Sequence, residues 1–384
     1  MNTASLPLSE AAAAAPAARP AAPSWAQRLP LSLAVLALFG WLLWSISARQ
    51  ALLLLVGVGL GATLAGARFG FTTGWRTLVE QRDPAGVHGQ LLLLALLSAV
   101  SMPMLAHFPE TTAALGPPSV SLLIGAFVFG LCMQIADGCG SGTLYKAGLG
   151  VPLNMAILPL FALGSFIGSV HLNDWLALGA TAPVGLVQRF GAGGALAATL
   201  VGLALLAWAI GRWSGRPLSR ASIPARWIWG AVALAVLAAL NLLIAGQPWG
   251  VVYGFGLWGA KAGTALGLFD PAGNAFWSDP GHAQRLSQTL LLDVTSITNI
   301  GILAGALWIA AKRPGASKPL TGQQWLVGAV AGFLLGYSSR LAFGCNVGAM
   351  LSGISTGSLH GWIWVPLAFA GTLVGLRVRR HFKF

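Results

Sequence analysis

A chain of 384 residues with 56% hydrophobic and 8% charged side chains is no water-soluble globule, whose surface needs roughly 25% charge. Mean hydropathy is +0.76, and several apolar runs reach the ~20 residues that cross a bilayer, so the chain is an integral membrane protein. Its net charge of +13 does not indicate nucleic acid, because the basic residues cluster in short loops beside the apolar runs. The clusters are Arg212, Arg216, Arg220 and Arg226; Lys312, Arg313 and Lys318; and Arg377, Arg379, Arg380 and Lys383. That is the positive-inside pattern, and it assigns these loops and the C-terminus to the cytoplasmic face.

Residues 1–28 read as a disordered leader, with alanines from Ala11 to Ala15 followed by Pro16, Pro20 and Pro23. Residues 29–384 read as one all-α, polytopic transmembrane transport domain. Predicted spans cover 30–47, 51–68, 88–106, 119–137, 152–170, 195–211, 227–245, 288–311, 323–343 and 360–376. Segments near 70–80, 139–149, 249–267 and 345–356 are too short or too glycine-rich to cross alone and read as re-entrant half-helices. Gly57-x-Gly59-x-Gly61 and Gly164-x-x-x-Gly168 are small-residue faces for close helix packing. Trp41, Trp44, Trp362 and Trp364 near span ends read as interfacial anchors. The six histidines mostly fall near span ends, where snorkelling or capping is the expected role.

One pattern occurs twice. Phe127-x-x-Gly130, Gly138-Cys139 and Gly142 return as Phe333-x-x-Gly336, Gly344-Cys345 and Gly348, an offset of 206 residues (345 − 139). Span parity has the chain enter the two copies from opposite faces, which is an inverted-topology repeat. Repeat one runs over about 51–211 and repeat two over about 227–376. Gly74-x-Arg76 and Gly259-x-Lys261 form a fainter echo.

Glycine before cysteine lets the helix break, and a half-helix starting there offers free N–H groups and a favourable dipole to an anion. Ser141, Thr143 and Asn346 add side-chain donors, and each cysteine adds a weak S–H donor with a soft sulfur. The combination suits a small sulfur-containing anion, held weakly enough to be released. Cys139, Cys345, Gly138, Gly344, Ser141, Asn346 and Arg340 are therefore the candidate substrate-binding residues. Cys132 reads first as a small hydrophobe, with a secondary place on the pathway as the other reading. Lys146 and Lys261 are either mouths of an electrostatic funnel or snorkelling side chains. Asp137 and Arg340 either pair across the pseudo-twofold axis, or Arg340 attracts the anion. Asp293, Thr295, Ser296, Thr298 and Asn299 either line the pathway or hydrogen-bond between helices. No catalytic residue, metal site or cofactor is expected.

At these residues the chain resembles the YeeE/YedE family of bacterial inner-membrane sulfur transporters. The resemblance rests on Asp137 to Gly148, Gly256 to Lys261, Asp293 to Ser296, Arg340 to Gly348, Ser352 to Ile354 and Gly357 to Trp362. It implies an hourglass-like helical fold with half-helices meeting at the waist, and thiosulfate handed between cysteine S–H groups, Cys139 and Cys345 among them. Where uptake members carry a further cysteine, this chain has Phe71. A selenium-compound transporter and a membrane thiol redox or persulfide-handling enzyme are the alternatives. The absence of Cys-x-x-Cys and of a nearby histidine counts against the enzyme. The expected partners are the anion, the bilayer and a cytoplasmic sulfur-carrier protein, with no nucleic acid.

Overall fold

Apolar runs of this length fold as helices because a bilayer offers no partner to a free backbone amide. The computed structural model describes residues 25–218, 223–310 and 319–384. The leader as far as residue 24, and Arg220, Lys312, Arg313 and Lys318, lie outside the described residues.

The first half comprises α1 (Trp25–Ser45), α2 (Ala48–Ala67), α3 (Phe71–Gln81), α4 (Ala85–His107), α5 (Val120–Ile135), α6 (Gly140–Gly148), α7 (Pro152–Val170), α8 (Leu172–Ala177) and α9 (Leu186–Ser214). The second half comprises α10 (Ala225–Ala245), α11 (Val252–Ala265), α12 (Pro280–Ser287), α13 (Val294–Ile309) and α14 (Gly322–Leu341). It continues through a π-helical segment (Asn346–Ser352), a last turn α15 (Gly353–Ser355) and α16 (Leu359–His381). No strand occurs among the described residues, only two isolated bridges, Ser119 with Ala180 and Gly185 with Ser358. Among the described residues, nine of the ten predicted spans fall in helices long and apolar enough to cross, the one at 288–311 is shorter (Val294–Ile309), and the short segments are short helices. Boundaries move at three helices: α1 begins at Trp25, α13 begins only at Val294, and a segment from Leu186 precedes the main part of α9 across Gly191, whose φ 68° and ψ 172° are non-helical.

The two halves pack as mates. Helix α2 lies on α13 while α10 lies on α4; α7 lies on α14 while α16 lies on α5. Glycines make these contacts close. A Cβ on Gly130 would fall on the carbonyl of Ala368, and one on Gly336 on that of Phe161. The same holds for Gly164 with Phe333 and for Gly371 with Phe127. Each pair maps onto its mate by adding 206 on one helix and 207 on the other, so the repeat extends to atomic contacts. The predicted glycine face of α2 is equally real, since Gly57 and Gly61 meet the backbone of Thr298 and Ile302 on α13.

Direction is set at the two ends of the bundle. The amide of Ala114, just before α5, bonds the Thr356 hydroxyl at 3.1 Å, which puts the start of α5 beside the end of α15. The Gln324 amide at the start of α14 reaches the Phe382 carbonyl at 3.1 Å, which puts the start of α14 at the C-terminal end. The broken crossings α5–α6 and α14–α15 therefore run in opposite senses, as an inverted repeat requires. Arg82, Arg216, Arg379 and Arg380 all gather at the C-terminal end, held by Trp213, Asp83, Gln134 and Glu80 respectively.

Two expectations are corrected. Trp44 is 92% exposed, as an anchor should be, but Trp364 is wholly buried between Trp75 and Phe129, with ring centroids 6.0 and 5.6 Å away. His88 and His360 are also buried, not snorkelling. The ring Nδ1 of His360 is hydrogen-bonded with the Ser358 hydroxyl at 2.6 Å.

Candidate functional site

The helix breaks have one geometry used twice. Asp137 (φ 51°) and Phe343 (φ 56°) each take a left-handed conformation at the end of their helix. The amide of Gly138 then bonds the Met133 carbonyl at 3.1 Å, and that of Gly344 bonds the Ser339 carbonyl at 2.8 Å. This is a helix stop that satisfies otherwise free carbonyls. Glycine is required next: a Cβ on Gly138 would meet the Thr143 amide at 2.8 Å, and one on Gly344 the Ala349 amide at 2.5 Å. Cys139 and Cys345 follow as N-caps in nearly the same extended conformation, φ −84° and −92°.

The two caps face each other. A Cβ on Gly140 would lie 2.9 Å from the Cys345 sulfur, so the backbone of α6 passes directly against the second cysteine. The amides of Ser141, Val347 and Gly348 face that sulfur. The Cys139 sulfur accepts the Gly142 amide at 3.4 Å and lies 3.5 Å from the Ser141 hydroxyl. Both thiols are at most 1% exposed, so the waist is closed in this structure. Asn346 is fully buried, and neither atom of its amide group has a hydrogen-bond partner; the Thr143 hydroxyl also lacks one. Asn346 and Thr143 therefore present buried polar atoms with no protein partner close to the two cysteine caps.

The remaining predicted residues separate. Cys132 is buried in the same apolar cluster as Cys139 and Cys345, so its burial does not separate its two readings. Asp137 and Arg340 do not pair; each finds its neighbours on other elements. Asp137 is held by Arg76, Lys146 and Arg379. The guanidinium of Arg340 lies over Phe276 and Tyr253, 5.0 and 5.6 Å from the ring centroids, and its Nε has no partner. Arg285 covers Tyr253 at 5.0 Å, and the Tyr253 hydroxyl meets His282 at 3.1 Å. In the loop carrying α12, burial first and then Arg340 push His282 down to about 4, so the ring is neutral at pH 7. The Lys261 ammonium bonds the carbonyls of Leu286 and Gln288. In the cluster after Asp293 the carboxylate caps α13 through Ser296 at 2.6 and 2.7 Å, and the Trp258 indole bonds the same serine at 2.8 Å. Phe71 is buried at the start of α3, edge-on to Phe69.

Sequence reasoning missed Arg76 and Arg379 around Asp137, and Tyr253, Phe276 and Arg285 around Arg340. Nothing in the chain signals these neighbours, since Arg379 is 242 residues (379 − 137) from its partner.

A polytopic helical bundle with inverted halves and two broken helices meeting at a closed polar waist is the architecture of a membrane transporter. The profile described as Sulphur transport matches residues 66–374, and the chain belongs to that family. It is 25% identical over 339 residues to the thiosulfate transporter TsuA of Spirochaeta thermophila, covering 81% of this chain and 93% of that protein. It is 26% identical over 346 residues to TsuA of Escherichia coli, covering 83% and 91% respectively. Over 174 residues, 44% of this chain, it is 26% identical to the probable transporter YedE of Escherichia coli, covering 39% of that protein. Family and relatives alike are described as transporters, not enzymes.

Proposed function

We propose that this protein carries thiosulfate across the bacterial inner membrane toward the cytoplasm, with the anion passing between the thiols of Cys139 and Cys345. The observation that carries the reading is the pair of opposed cysteine caps with the unpartnered Asn346 and Thr143 beside them. Thiosulfate is a dianion with a soft terminal sulfur. Its oxygens suit the unpartnered Asn346 amide and Thr143 hydroxyl at the two helix starts, and its sulfur suits the weak S–H donors. A weak donor holds the anion without trapping it. Arg340, with Arg285 beside it, supplies positive charge on the approach from the end opposite the C-terminus. The basic C-terminal end is the cytoplasmic one by the positive-inside rule.

The test is uptake of radiolabelled thiosulfate by cells lacking their own uptake systems. Wild type takes it up, Cys139→Ala and Cys345→Ala do not, and Cys139→Ser retains part of the activity. Uptake unchanged in both alanine variants refutes the thiol route, and no uptake by correctly inserted wild type refutes the substrate.

A further inference from the structure

The two breaks share a backbone geometry but not their charge. At the position where the second repeat has Phe343, the first has Asp137, with the same left-handed φ. An apolar side chain makes this turn equally well, so the turn does not account for the carboxylate. Its surroundings do. Arg76 of α3 bonds Oδ1, Lys146 of α6 bonds Oδ2 at 2.6 Å and also the Asp137 carbonyl, and Arg379 of α16 stands 4.0 Å from Oδ1. Glu80 is engaged by Arg380 at 3.0 Å and also faces Arg379, so this added acid is matched by the added cation Arg380, while Gln134 adds only neutral acceptors to Arg76 and Arg379. Three cations against one carboxylate leave an excess of two positive charges.

The cluster is also reachable. Side-chain exposure is 16–17% for the three cations and 30% for Asp137, whereas Cys139, two residues further on, is sealed. An excess of two charges matches one dianion. We infer that Arg76, Lys146 and Arg379 form a second anion-binding site between the cysteines and the C-terminal end, and that Asp137 is its tethered occupant, displaced when the transported oxyanion arrives. This rests on the reading that the anion passes Cys139 and Cys345. Asp137 ties three helices together immediately before Gly138-Cys139. Exchanging it for a mobile dianion frees the segment that holds the first thiol and opens the waist toward the C-terminal end. The opposite gate has no such latch, because Phe343 only packs near His360.

The probe is sodium sulfate, an oxyanion dianion without the soft sulfur, titrated into purified full-length protein with thermal unfolding as readout. In wild type the tethered carboxylate competes, and sulfate binds weakly. Asp137→Asn binds it tighter by about 5- to 150-fold, the usual range of a coupling between two ligands. Arg379→Gln added to Asp137→Asn abolishes the gain, and Asp137→Glu keeps the weak wild-type affinity. The same series in a Cys139→Ala, Cys345→Ala background retains the gain if the cation site exists, even if the thiol route is wrong. Unchanged affinity in Asp137→Asn, or a gain that survives Arg379→Gln, overturns the inference. Should Asp137→Asn not yield monodisperse protein, the single variants Arg76→Gln and Arg379→Gln carry the test: both must bind sulfate more weakly than wild type, and equal affinity overturns it.

Discussion

Gly140→Ala probes the contact on which the waist depends. The new Cβ would sit 2.9 Å from the Cys345 sulfur, 3.2 Å from its Cβ and 3.5 Å from the Phe161 ring. Non-bonded heavy atoms prefer about 3.5–4.0 Å, so the sulfur contact is short by roughly 0.6 Å or more. Cysteine has one side-chain torsion and Cys345 is fully buried, so the sulfur has nowhere to retreat. Overpacking of this kind costs about 1–3 kcal/mol. Removing the sulfur by Cys345→Ala relieves the shortest contact and leaves the 3.2 Å one. In a double-mutant cycle the cost of Gly140→Ala then falls by about 1 kcal/mol, within the span measured for touching residues. Gly142→Ala is the control, since its Cβ would meet only the Cys139 sulfur, at 3.3 Å, and it costs less. Chemical or thermal unfolding in detergent measures the stabilities, and thiosulfate uptake should fall with Gly140→Ala. An identical cost in the presence and absence of the Cys345 sulfur would refute the claim that the two breaks touch.

Gly164→Ala and Gly371→Ala should destabilise by similar amounts, about 1–3 kcal/mol or more, because each would press a methyl onto a mate carbonyl; unequal costs in unfolding would count against the repeat symmetry. With Arg340 on the approach as proposed, Arg340→Gln should raise the KM for uptake more than it lowers kcat; a pure kcat effect would contradict that placement. His282 is neutral in the folded protein down to about pH 4 but charges near 6.5 when unfolded. The unfolded state therefore binds the extra proton, and stability is full above pH 6.5 and lost as pH falls toward 4. His282→Gln should show a shallower loss of Tm over that window, and an unaltered slope would remove the argument.

Much of this protein was legible before any coordinates. Span positions follow from apolar length, because a bilayer admits only self-satisfied helices. The two helix breaks follow from Gly138-Cys139 and Gly344-Cys345, because a duplicated local motif folds the same way twice. The π-helical Asn346–Ser352, by contrast, has no signature distinct from that of α6.

What the sequence determined alone was whatever depends on neighbours a few residues apart: which segments cross, where they stop, and which side chains cap the new starts. What only the tertiary structure decided was which charges meet. Asp137 takes Arg76 and Arg379 from other helices, and Arg340 finds two aromatic rings instead of Asp137. Charge pairing acts through space over a few ångströms, and in a bundle packed by glycine contacts those neighbours are chosen by helix crossings that no local pattern encodes.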